Sequence, residues 1–530
     1  MAKITILEKD LTKSSFQISP TDVAYVPGLS INENCTKELL LCKSVADFEK
    51  EYGTMPAILD DSYITKSSDS FQVVFDVAEF KSYYQYDMKY IFDSENGWYY
   101  IDKLGKKYVS DLNLRKMGII ISGDANTGDF IETHLVYDLS YIYAKELIQL
   151  GIPVIYQAID KYTNISIYNV TNIIKNTLYD YSSIDGIMDR GEYSIKYITS
   201  GGYPSFLYSY TNGENNESSY DFSNGFASKM LTLAGKRGDC IALIDATSDA
   251  CGGFTYQFTD ESGDIFVDND GSTFVDSNSG NLIGDGSLWE AVSTFANSAD
   301  YLEYGAMFTP WFYYKTQSIY HDEYNNMIQS LSSVLMPPSF AYLITLAKSI
   351  RTNGNWYSIA GVARGQIPYF EKLNTSIRLS NYIANLYQPR NGKTSINAIT
   401  NIKPYGYLIW GNRTMKNNLN TAEGGEDGLT ATSFLNIRNM VSDIKKTAYN
   451  AAKQCIFEQN SDVLWVNFCS LVQPLLDKLI SGQGLSNYKI IKQPTNEKAK
   501  LKAKIVIYPI YAVEDFEITI ELSDQDVSVI

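Results

Sequence analysis

The sequence predicts a multidomain α/β (α+β) protein, with a central α/β core sheet flanked by helices, an inserted β-rich domain and a C-terminal domain of helices plus a small sheet. Three observations support this fold class. Apolar strands alternate with helical patterns over 117–245, short β-prone runs rich in Tyr fill 61–109, and two helical patterns followed by strands occupy 431–522. Such alternation is typical of an α/β layer. With 530 residues, 45% of them hydrophobic, we expect roughly two to four domains.

The first residues predict an arm. Ile4 and Ile6 lie in a short β-prone stretch, and the polar segment 9–15 after it has too little apolar surface to fold alone. A Pro-Gly turn signal at Pro27 and Gly28 then marks the beginning of a compact domain. We therefore assign 1–22 to an N-terminal arm.

The α/β core is predicted at 23–60 and 110–425, because apolar and helical patterns resume on both sides of the Tyr-rich segment. The Tyr-rich segment 61–109 itself predicts a small inserted sheet, whose aromatic residues we expect to be packed. Continuous apolar strands usually lie inside a parallel sheet. The predicted elements are strands at 118–121, 153–156, 194–199 and 240–245, helices at 139–150 and 227–235, and an exposed loop or hairpin insertion at about 254–287.

The C-terminal domain is predicted at 426–512. Apolar residues recur at helical spacing in two segments after Ala431, and Pro474 is expected to kink the second helix. Strands at 503–508 and 516–522 follow. The last strand has an apolar face, and we assign 513–530 to a C-terminal arm that is free to pair with another chain; the apolar residues are Phe516, Ile518, Ile520 and Leu522.

Composition excludes several classes of function. The chain has 44 basic and 61 acidic residues, a net charge of −17, which argues against nucleic acid as a main partner. Its first residues have no apolar signal region, and no run reaches the roughly 18 apolar residues that a membrane span needs. Six cysteines without a CxxC pair indicate reduced, mostly buried thiols, and two histidines make a zinc site improbable.

Motifs of enzymes and cofactor sites are incomplete. The segment 391–394 resembles the end of a phosphate loop but has Tyr387 where a glycine is needed, and Gly482-Gln483-Gly484 is better explained as a turn after a helix. The acidic turn 268–271 lacks calcium-loop spacing. His134 has no nucleophile motif beside it, and neither has His321, which lies in a polar, helix-like segment. We predict no catalytic residues, no metal site and no cofactor.

A series of short motifs, taken in order, resembles the contractile tail sheath family over about residues 23–520. The stretch GYLIWGNRT at 406–414 carries the strongest resemblance. The others are KRGD (236–239), ALID (242–245), FTPW (308–311), MPPS (336–339), NW (355–356), AG (360–361), SINAI (395–399), NIR (436–438) and FEQN (457–460). The chain departs from the family pattern at three places, where Asn439 replaces an Arg, Gln459 replaces a Pro and Ala246 replaces a Pro.

The resemblance implies a structural protein with no enzymatic activity, assembled as helically stacked rings of six around a tail tube, which contracts to drive that tube through a host envelope. It implies that the arms add strands to neighbouring subunits through Ile4, Ile6, Phe516, Ile518, Ile520 and Leu522. It also implies a tube-facing helix near 462–480, with Leu475, Asp477 and Lys478 as candidates, and an outer position for 61–109. The expected partners are other copies of this chain, a tube protein, and baseplate and terminator proteins, in a virion tail assembled in the host cytoplasm, without nucleic acid or membrane insertion.

Two alternatives stay open at this point. The sheath of a secretion system or of an extracellular injection particle has the same physical requirements as a phage tail sheath. A polysaccharide-binding or polysaccharide-degrading virion protein is suggested by 42 Tyr and by the acidic loops, although aromatic residues usually serve as core.

Overall fold

The chain is described here by a computed structural model. The structure describes residues 22–30, 39–53, 139–161, 187–190, 193–202, 227–246, 299–321, 327–373, 394–416 and 429–514, with shorter stretches between them.

Strands and helices alternate through the described residues. The strands are β1 (Ala24–Ser30), β2 (Leu40–Cys42), β3 (Ile64–Lys66), β4 (Gln72–Phe75), β5 (Lys89–Asp93), β6 (Gly97–Ile101), β7 (Lys107–Tyr108), β8 (Ile119–Gly123), β9 (Phe130–Leu135), β10 (Val154–Lys161), β11 (Tyr197–Ile198), β12 (Leu207–Tyr210), β13 (Ser218–Asp221), β14 (Ile241–Asp245), β15 (Tyr256–Gln257), β16 (Val275–Asp276), β17 (Gly305–Thr309), β18 (Phe312–His321), β19 (Met327–Met336), β20 (Phe370–Leu373), β21 (Asn397–Ile402), β22 (Gly406–Trp410), β23 (Leu485–Gln493) and β24 (Lys502–Pro509). The α-helices are α1 (Val45–Tyr52), α2 (Leu139–Gln149), α3 (Ala227–Arg237), α4 (Pro338–Ile350), α5 (Gly361–Arg364), α6 (Leu435–Cys455) and α7 (Asp462–Ser481).

An eight-stranded sheet forms the centre, in the order β2-β10-β1-β11-β14-β17-β21-β22. Its six inner strands are parallel, and β2 and β22 pair antiparallel at the two edges. Every residue of β14 is buried, as expected for a parallel strand that is covered on both faces. The predicted α/β class is confirmed.

Helices cover both faces of this sheet. On one face, α3 packs Met230 and Leu231 against side chains that include Tyr25 and Ile244. On the other face, α1, α2 and α4 pack around Phe308, with α4 buried along nearly its whole length. These two apolar layers make the sheet the rigid centre of the described residues.

The remaining strands form smaller sheets. Strands β3 to β7 form a five-stranded antiparallel sheet at the residues where the sequence predicts an insertion, and β15 pairs with β16 within the predicted loop insertion. Strands β18, β19 and β20 form an antiparallel sheet, and β12 pairs with β13.

Two local predictions were wrong. The apolar run 118–121 was assigned to the α/β layer, but among the described residues β8 pairs with β9 alone, in a separate two-stranded sheet. A short apolar run cannot show by periodicity which sheet it joins. The helix-like surface around His321 is instead the end of β18, where His321 pairs with Met327.

The predicted helices lie close to their expected positions, as α2, α3, α6 and α7 show. Ser461 caps the N-terminus of α7 by accepting a hydrogen bond from the Leu464 amide at 3.3 Å. The helix continues through Pro474 and ends at Gly482, so the Gly482-Gln483-Gly484 segment is the turn that was predicted.

One described helix, α7, is long and apolar enough to span a membrane by length and composition alone, and 22% of its most apolar 18-residue window is buried. The sequence prediction concerned an uninterrupted run of roughly 18 apolar residues, which α7 does not contain, because Asn467, Gln473 and Asp477 interrupt it. Its buried row faces the rest of the protein, with Leu464, Phe468, Val472, Leu476 and Leu479 packed in the C-terminal core. Packing within the protein accounts for the apolar character of this buried row.

Candidate assembly surface

A long hairpin, β23 and β24, follows α7 and forms a two-stranded sheet within the described part of the chain. Tyr488 and Ile490 of β23 lie opposite Ile507 and Ile505 of β24, and all four pack against the core around α6 and α7. Opposite residues share one face of a sheet. This row is therefore the inner face of the hairpin, and α7 covers it.

The outer face of the hairpin consists of Asn487, Lys489, Ile491 and Gln493 of β23 with Lys502, Lys504, Val506 and Tyr508 of β24. Ile491 and Tyr508 are each 43% exposed. Within the described residues nothing else pairs with the outer edge of either strand. An isolated two-stranded ribbon is marginally stable, and its unpaired edges can accept another strand.

Helix α6 lies between this hairpin region and the central sheet, and it buries two different faces. Ile437, Met440 and Ile444 pack toward α7 in the C-terminal core. A second row is polar yet 6% exposed or less, and it comprises Asn436, Asn439, Asp443 and Lys446. Because buried polar groups need partners, we expect the core domain to supply hydrogen bonds or ion pairs to this row.

The central residue of these polar contacts is Lys196, which is fully buried beside β11. Its Nζ lies 2.8 Å from Asp22 Oδ1 and 2.8 Å from Asp443 Oδ1. The Asn355 amide donates to both carboxylates, at 2.9 Å to Asp22 and 2.7 Å to Asp443. Burial, the largest effect, would lower the pKa of Lys196, but the two carboxylates together raise it above its usual value. A charged lysine therefore links the root of the N-terminal arm to α6.

Asn439, a position where the sequence resemblance predicted an arginine, extends the network. It accepts a hydrogen bond from Tyr197 at 3.1 Å and donates one to the Tyr342 hydroxyl at 2.7 Å. Both partners are buried tyrosines of the core domain. A neutral amide satisfies two hydroxyls here without adding another buried charge.

A second buried cluster lies at the end of α3. Arg237 contacts Asp239 with Nε at 3.0 Å from Oδ1, and Lys446 of α6 reaches Asp239 at 3.7 Å. Lys446 also donates to the Ile195 carbonyl. Burial would raise the pKa of Asp239, but Arg237 and Lys446 lower it, so the carboxylate is charged. The KRGD motif thus supplies a second link between the core and α6.

The root of the C-terminal arm is held by Arg413, which is 3% exposed. Its guanidinium lies 4.6 Å from the ring centroid of Phe434 and forms an ion pair with Glu514. Tyr511 packs edge-on against Phe434 at 5.2 Å, and the Ile510 amide donates to the Gly484 carbonyl at 3.1 Å. Residues 510–514 are thereby directed from the hairpin toward the core.

Trp356 fixes the C-terminal end of α7. Its Nε1 donates to the Gly482 carbonyl at 2.7 Å. A Cβ at Gly482 would lie 2.4 Å from the indole ring and one at Gly484 would lie 2.9 Å from it, so both positions require glycine. Asn436 donates to the Trp356 carbonyl at 3.1 Å and accepts from Asn412 at 2.8 Å. Motif residues that are far apart in the sequence therefore meet at the junction between the core and the C-terminal domain.

The candidate tube-facing residues lie near the end of α7. Leu475 is half-buried, and Asp477 and Lys478 are exposed. Asp477 accepts a hydrogen bond from the Tyr488 hydroxyl at 2.7 Å, which, with a smaller contribution from desolvation, raises the pKa of Tyr488 to about 12. Lys478 Nζ lies 5.7 Å from the centroid of the Trp356 ring. The two charged residues thus also fasten α7 to its surroundings.

The predicted arm residues Ile4, Ile6, Phe516, Ile518, Ile520 and Leu522 lie outside the described residues. Of the cysteines, Cys42 and Cys240 are buried as expected, whereas Cys455 and Cys469 are half-exposed, and all four are free thiols. Sequence reasoning missed the roles of Lys196, Arg413 and Trp356. Trp356 and Arg413 lie in recognised motifs and Lys196 lies in a predicted strand, but their partners are too distant along the chain to form a local pattern.

Comparison with known proteins agrees with the ordered motifs. No protein-family model matches the chain. Over 141 residues it is 26% identical to the tail sheath protein of Vibrio phage KVP40, a match that covers 27% of this chain and 19% of that protein. The resemblance to contractile tail sheath proteins is confirmed. This chain thus aligns with about a fifth of the length of its sheath relative.

Two solved structures of contractile injection systems are also similar to the chain. The sheath complex of an extracellular contractile injection system, PVC, in its contracted state gives a TM-score of 0.45 at 12% identity, covering 99% of this chain and 98% of that one. The baseplate of the anti-feeding prophage in its contracted state has a TM-score of 0.48 at 12% identity, and the match covers 99% of both chains.

Proposed function

We propose that this chain is a structural subunit of a contractile sheath, which polymerises with copies of itself around a tail tube and contracts to drive the tube through an envelope. The match to a phage tail sheath protein supports this proposal. The observation that carries it is the β23–β24 hairpin, whose outer face and both edges are open among the described residues.

Strand addition explains why such a hairpin would be kept. Main-chain hydrogen bonds at an open edge supply affinity, and alternate side chains supply register. Residues 515–522 have the required alternation, with Phe516, Ile518, Ile520 and Leu522 on one face. In our proposal this segment, and the N-terminal stretch with Ile4 and Ile6, add strands to hairpins of neighbouring subunits.

Contraction requires rigid bodies that move while they stay linked. The buried contacts of Lys196, Asp443 and Asn355 join the core to α6, and Arg413 holds the arm root at Glu514. A subunit built this way can shift as a unit while its arms remain in neighbouring sheets. We propose rings of six stacked helically, as in the family, with baseplate and terminator proteins at the ends.

Truncation of the C-terminal arm tests strand addition. A chain lacking residues 515–530 is expected to fold, as judged by circular dichroism and thermal melting, and to form no tubes in negative-stain electron microscopy. Thr519→Pro should have the same effect, since proline removes a main-chain donor from the added strand. Asp524→Pro, outside the alternating segment, is the matched control. Normal tubes from the truncated chain would contradict the proposal.

The tube-facing surface is proposed at the end of α7, with Leu475, Asp477 and Lys478. Replacing Lys478 by Glu should weaken binding to a tube protein and leave self-assembly of the sheath unchanged. Lys453→Glu, at an exposed position on α6, is the control. Equal loss of tube binding in both variants would show that net charge, and not this surface, matters.

We favour a phage tail over a secretion system or an extracellular injection particle, because the matched relative is a phage protein. In that setting the subunit would be assembled in the host cytoplasm and reside in the virion. Neighbouring genes for a capsid and a portal would support this assignment, whereas genes for a secretion apparatus would contradict it.

A further inference from the structure

The outer face of the β23–β24 hairpin is basic in a chain that is acidic overall. The segment 485–509 contains six lysines and one acidic residue, Glu497, whereas the whole chain has a net charge of −17. Lys489, Lys502 and Lys504 lie on the outer face, and all three are exposed. No acidic residue belongs to that face, because its other members are Asn487, Ile491, Gln493, Val506 and Tyr508.

These three lysines make no ion pair with any described residue, and this distinguishes them from their neighbours. Lys492, on the inner face of the hairpin near its turn, lies 2.8 Å from Asp462 of α7. Lys500, in the turn, lies 2.8 Å from Glu497. The three unpaired lysines instead share the outer face with the exposed apolar side chains of Ile491 and Tyr508. The face is suited to a partner that is both acidic and apolar.

The C-terminal arm of this chain has that composition. Residues 515–526 contain five acidic residues and no basic residue. Within 515–522 the two classes alternate, because Phe516, Ile518, Ile520 and Leu522 are apolar while Asp515, Glu517 and Glu521 occupy the alternate positions. A strand that directs its apolar residues to the inner face of the hairpin must direct Glu517 and Glu521 to the outer face.

We propose that the acidic side of residues 515–522 from a second copy pairs with the lysines of the outer face, and that this charge match sets the register of the added strand at the free edge of β24. The inference rests on the proposed strand addition and specifies it. A slip of one residue would put Glu517 and Glu521 against the apolar inner face, so only one phase satisfies both faces. The edge of β24 is favoured over that of β23 because it carries two of the three lysines, Lys502 and Lys504.

A second copy is expected to donate the added strand, because residues 510–514 of the same copy lead away from its own hairpin. After Pro509 the chain leaves the hairpin, Tyr511 packs on Phe434, and Glu514 is held by Arg413 of the core. To reach its own β24 edge, the arm would have to turn back directly after this anchor. Pairing between copies needs no such reversal.

Charge reversal in the full-length protein tests the match. Lys502→Glu with Lys504→Glu should raise the concentration needed for assembly by roughly tenfold, measured by light scattering and sedimentation velocity. Glu517→Lys with Glu521→Lys should do the same, and the chain that carries all four changes should return toward wild type. The matched control is Lys498→Glu with Lys500→Glu, which changes net charge equally in the turn and should assemble normally. Added salt should weaken assembly of the wild type and of the four-change variant alike, because both place opposite charges across the pair, and should partly relieve the defect of the two-change variants, in which like charges face each other.

Disulfide trapping identifies the donor. Oxidised mixtures of Lys504→Cys and Thr519→Cys proteins should give a dimer on a denaturing gel, whereas Ile518→Cys, on the opposite side of the strand, should give little above the background of the native thiols. Trapping at monomer mass in the doubly substituted chain would mean that the arm returns to its own hairpin, and this would overturn the inference.

The possible failures are distinguishable. Wild-type tubes that are insensitive to both reversals, or equally sensitive to the turn control, would overturn the charge match and leave strand addition intact. A wild-type chain that never associates, with or without its arm, would overturn the proposed function as well.

Discussion

The central sheet and the β23–β24 hairpin use the same kind of backbone pairing for opposite purposes. In the sheet, six parallel strands have neighbours on both sides, and β14 is buried throughout. In the hairpin, each strand has one edge that no other described strand pairs with, and Ile491 and Tyr508 are 43% exposed. A sheet that is closed by helices stabilises one subunit, whereas an open ribbon next to the arm root is suited to join subunits. The difference predicts that substitutions in the first region change stability and those in the second change assembly.

The largest effect is expected at Lys196. Lys196→Met leaves the carboxylates of Asp22 and Asp443 buried without their cation, which should lower the free energy of unfolding by about 3–5 kcal/mol. Urea denaturation followed by circular dichroism measures this change. Lys348→Met, at an exposed position of α4, should stay within about 0.5 kcal/mol of wild type. A change as small at Lys196 as at Lys348 would mean that the buried network does not hold α6 to the core.

The pH dependence of stability should next reveal Asp245, at the end of β14. Its carboxylate accepts hydrogen bonds from the Ser339 amide at 2.7 Å and hydroxyl at 2.9 Å, but burial raises its pKa to about 7. Because the pKa of Asp245 is higher in the folded state than in the unfolded state, protonated Asp245 stabilises the fold. This stabilisation is complete below the unfolded-state pKa of about 3.9 and is lost as pH rises through about 7.

Asp245→Asn removes this titration. The variant should gain unfolding free energy relative to wild type, on the order of a few kcal/mol, between about pH 4 and pH 8. Chemical denaturation at a series of pH values measures the difference. Asp300→Asn, at an exposed site, is the control. A difference between Asp245→Asn and wild type that does not vary with pH would show that the carboxylate is charged throughout.

Trp356 should give an intermediate effect, since it lies between the two regions. Trp356→Ala removes the ring that packs over Gly482 and Gly484, and we expect a loss of about 2–3 kcal/mol. Trp356→Phe keeps an aromatic ring and loses the hydrogen bond to Gly482, with an expected cost of about 1 kcal/mol. Equal losses for the two variants would assign the effect to the hydrogen bond instead of the packing.

The smallest effect on stability is expected on the outer face of the hairpin. Ile491→Thr should change the unfolding free energy by less than about 0.5 kcal/mol, because the side chain is 43% exposed. The same variant should nevertheless raise the concentration needed for assembly, which light scattering measures. Ile490→Thr, on the inner face, should do the reverse and mainly lower stability. If both variants behaved alike, the two faces would not differ in function.

The two regions also differ in what the sequence could predict. Helix α3 and strand β14 were predicted within two residues of their observed bounds, because apolar residues there follow one clear period. Strand β23 was missed. Its adjacent pair, Ile490 and Ile491, places one apolar side chain on each face and so breaks the alternation that would indicate a half-buried strand.

The candidate site was predicted only in part. The alternation of 516–522 suggested strand addition, but the surface that would accept it could not be inferred without β23. Lys196 and Asp443 are 247 positions apart, so their ion pair leaves no local pattern. Arg413 and Glu514 likewise come together only through the fold, 101 positions apart. Long-range pairing of polar residues must therefore be read from the structure.

Amide hydrogen exchange on assembled and unassembled full-length protein tests the central claim most directly. We predict that assembly slows exchange at the edge amides of β24 and leaves the already protected amides of β14 and β17 unchanged. Exchange in β24 that is equally fast in both states, while tubes are present, would contradict the assignment of this hairpin as the assembly surface.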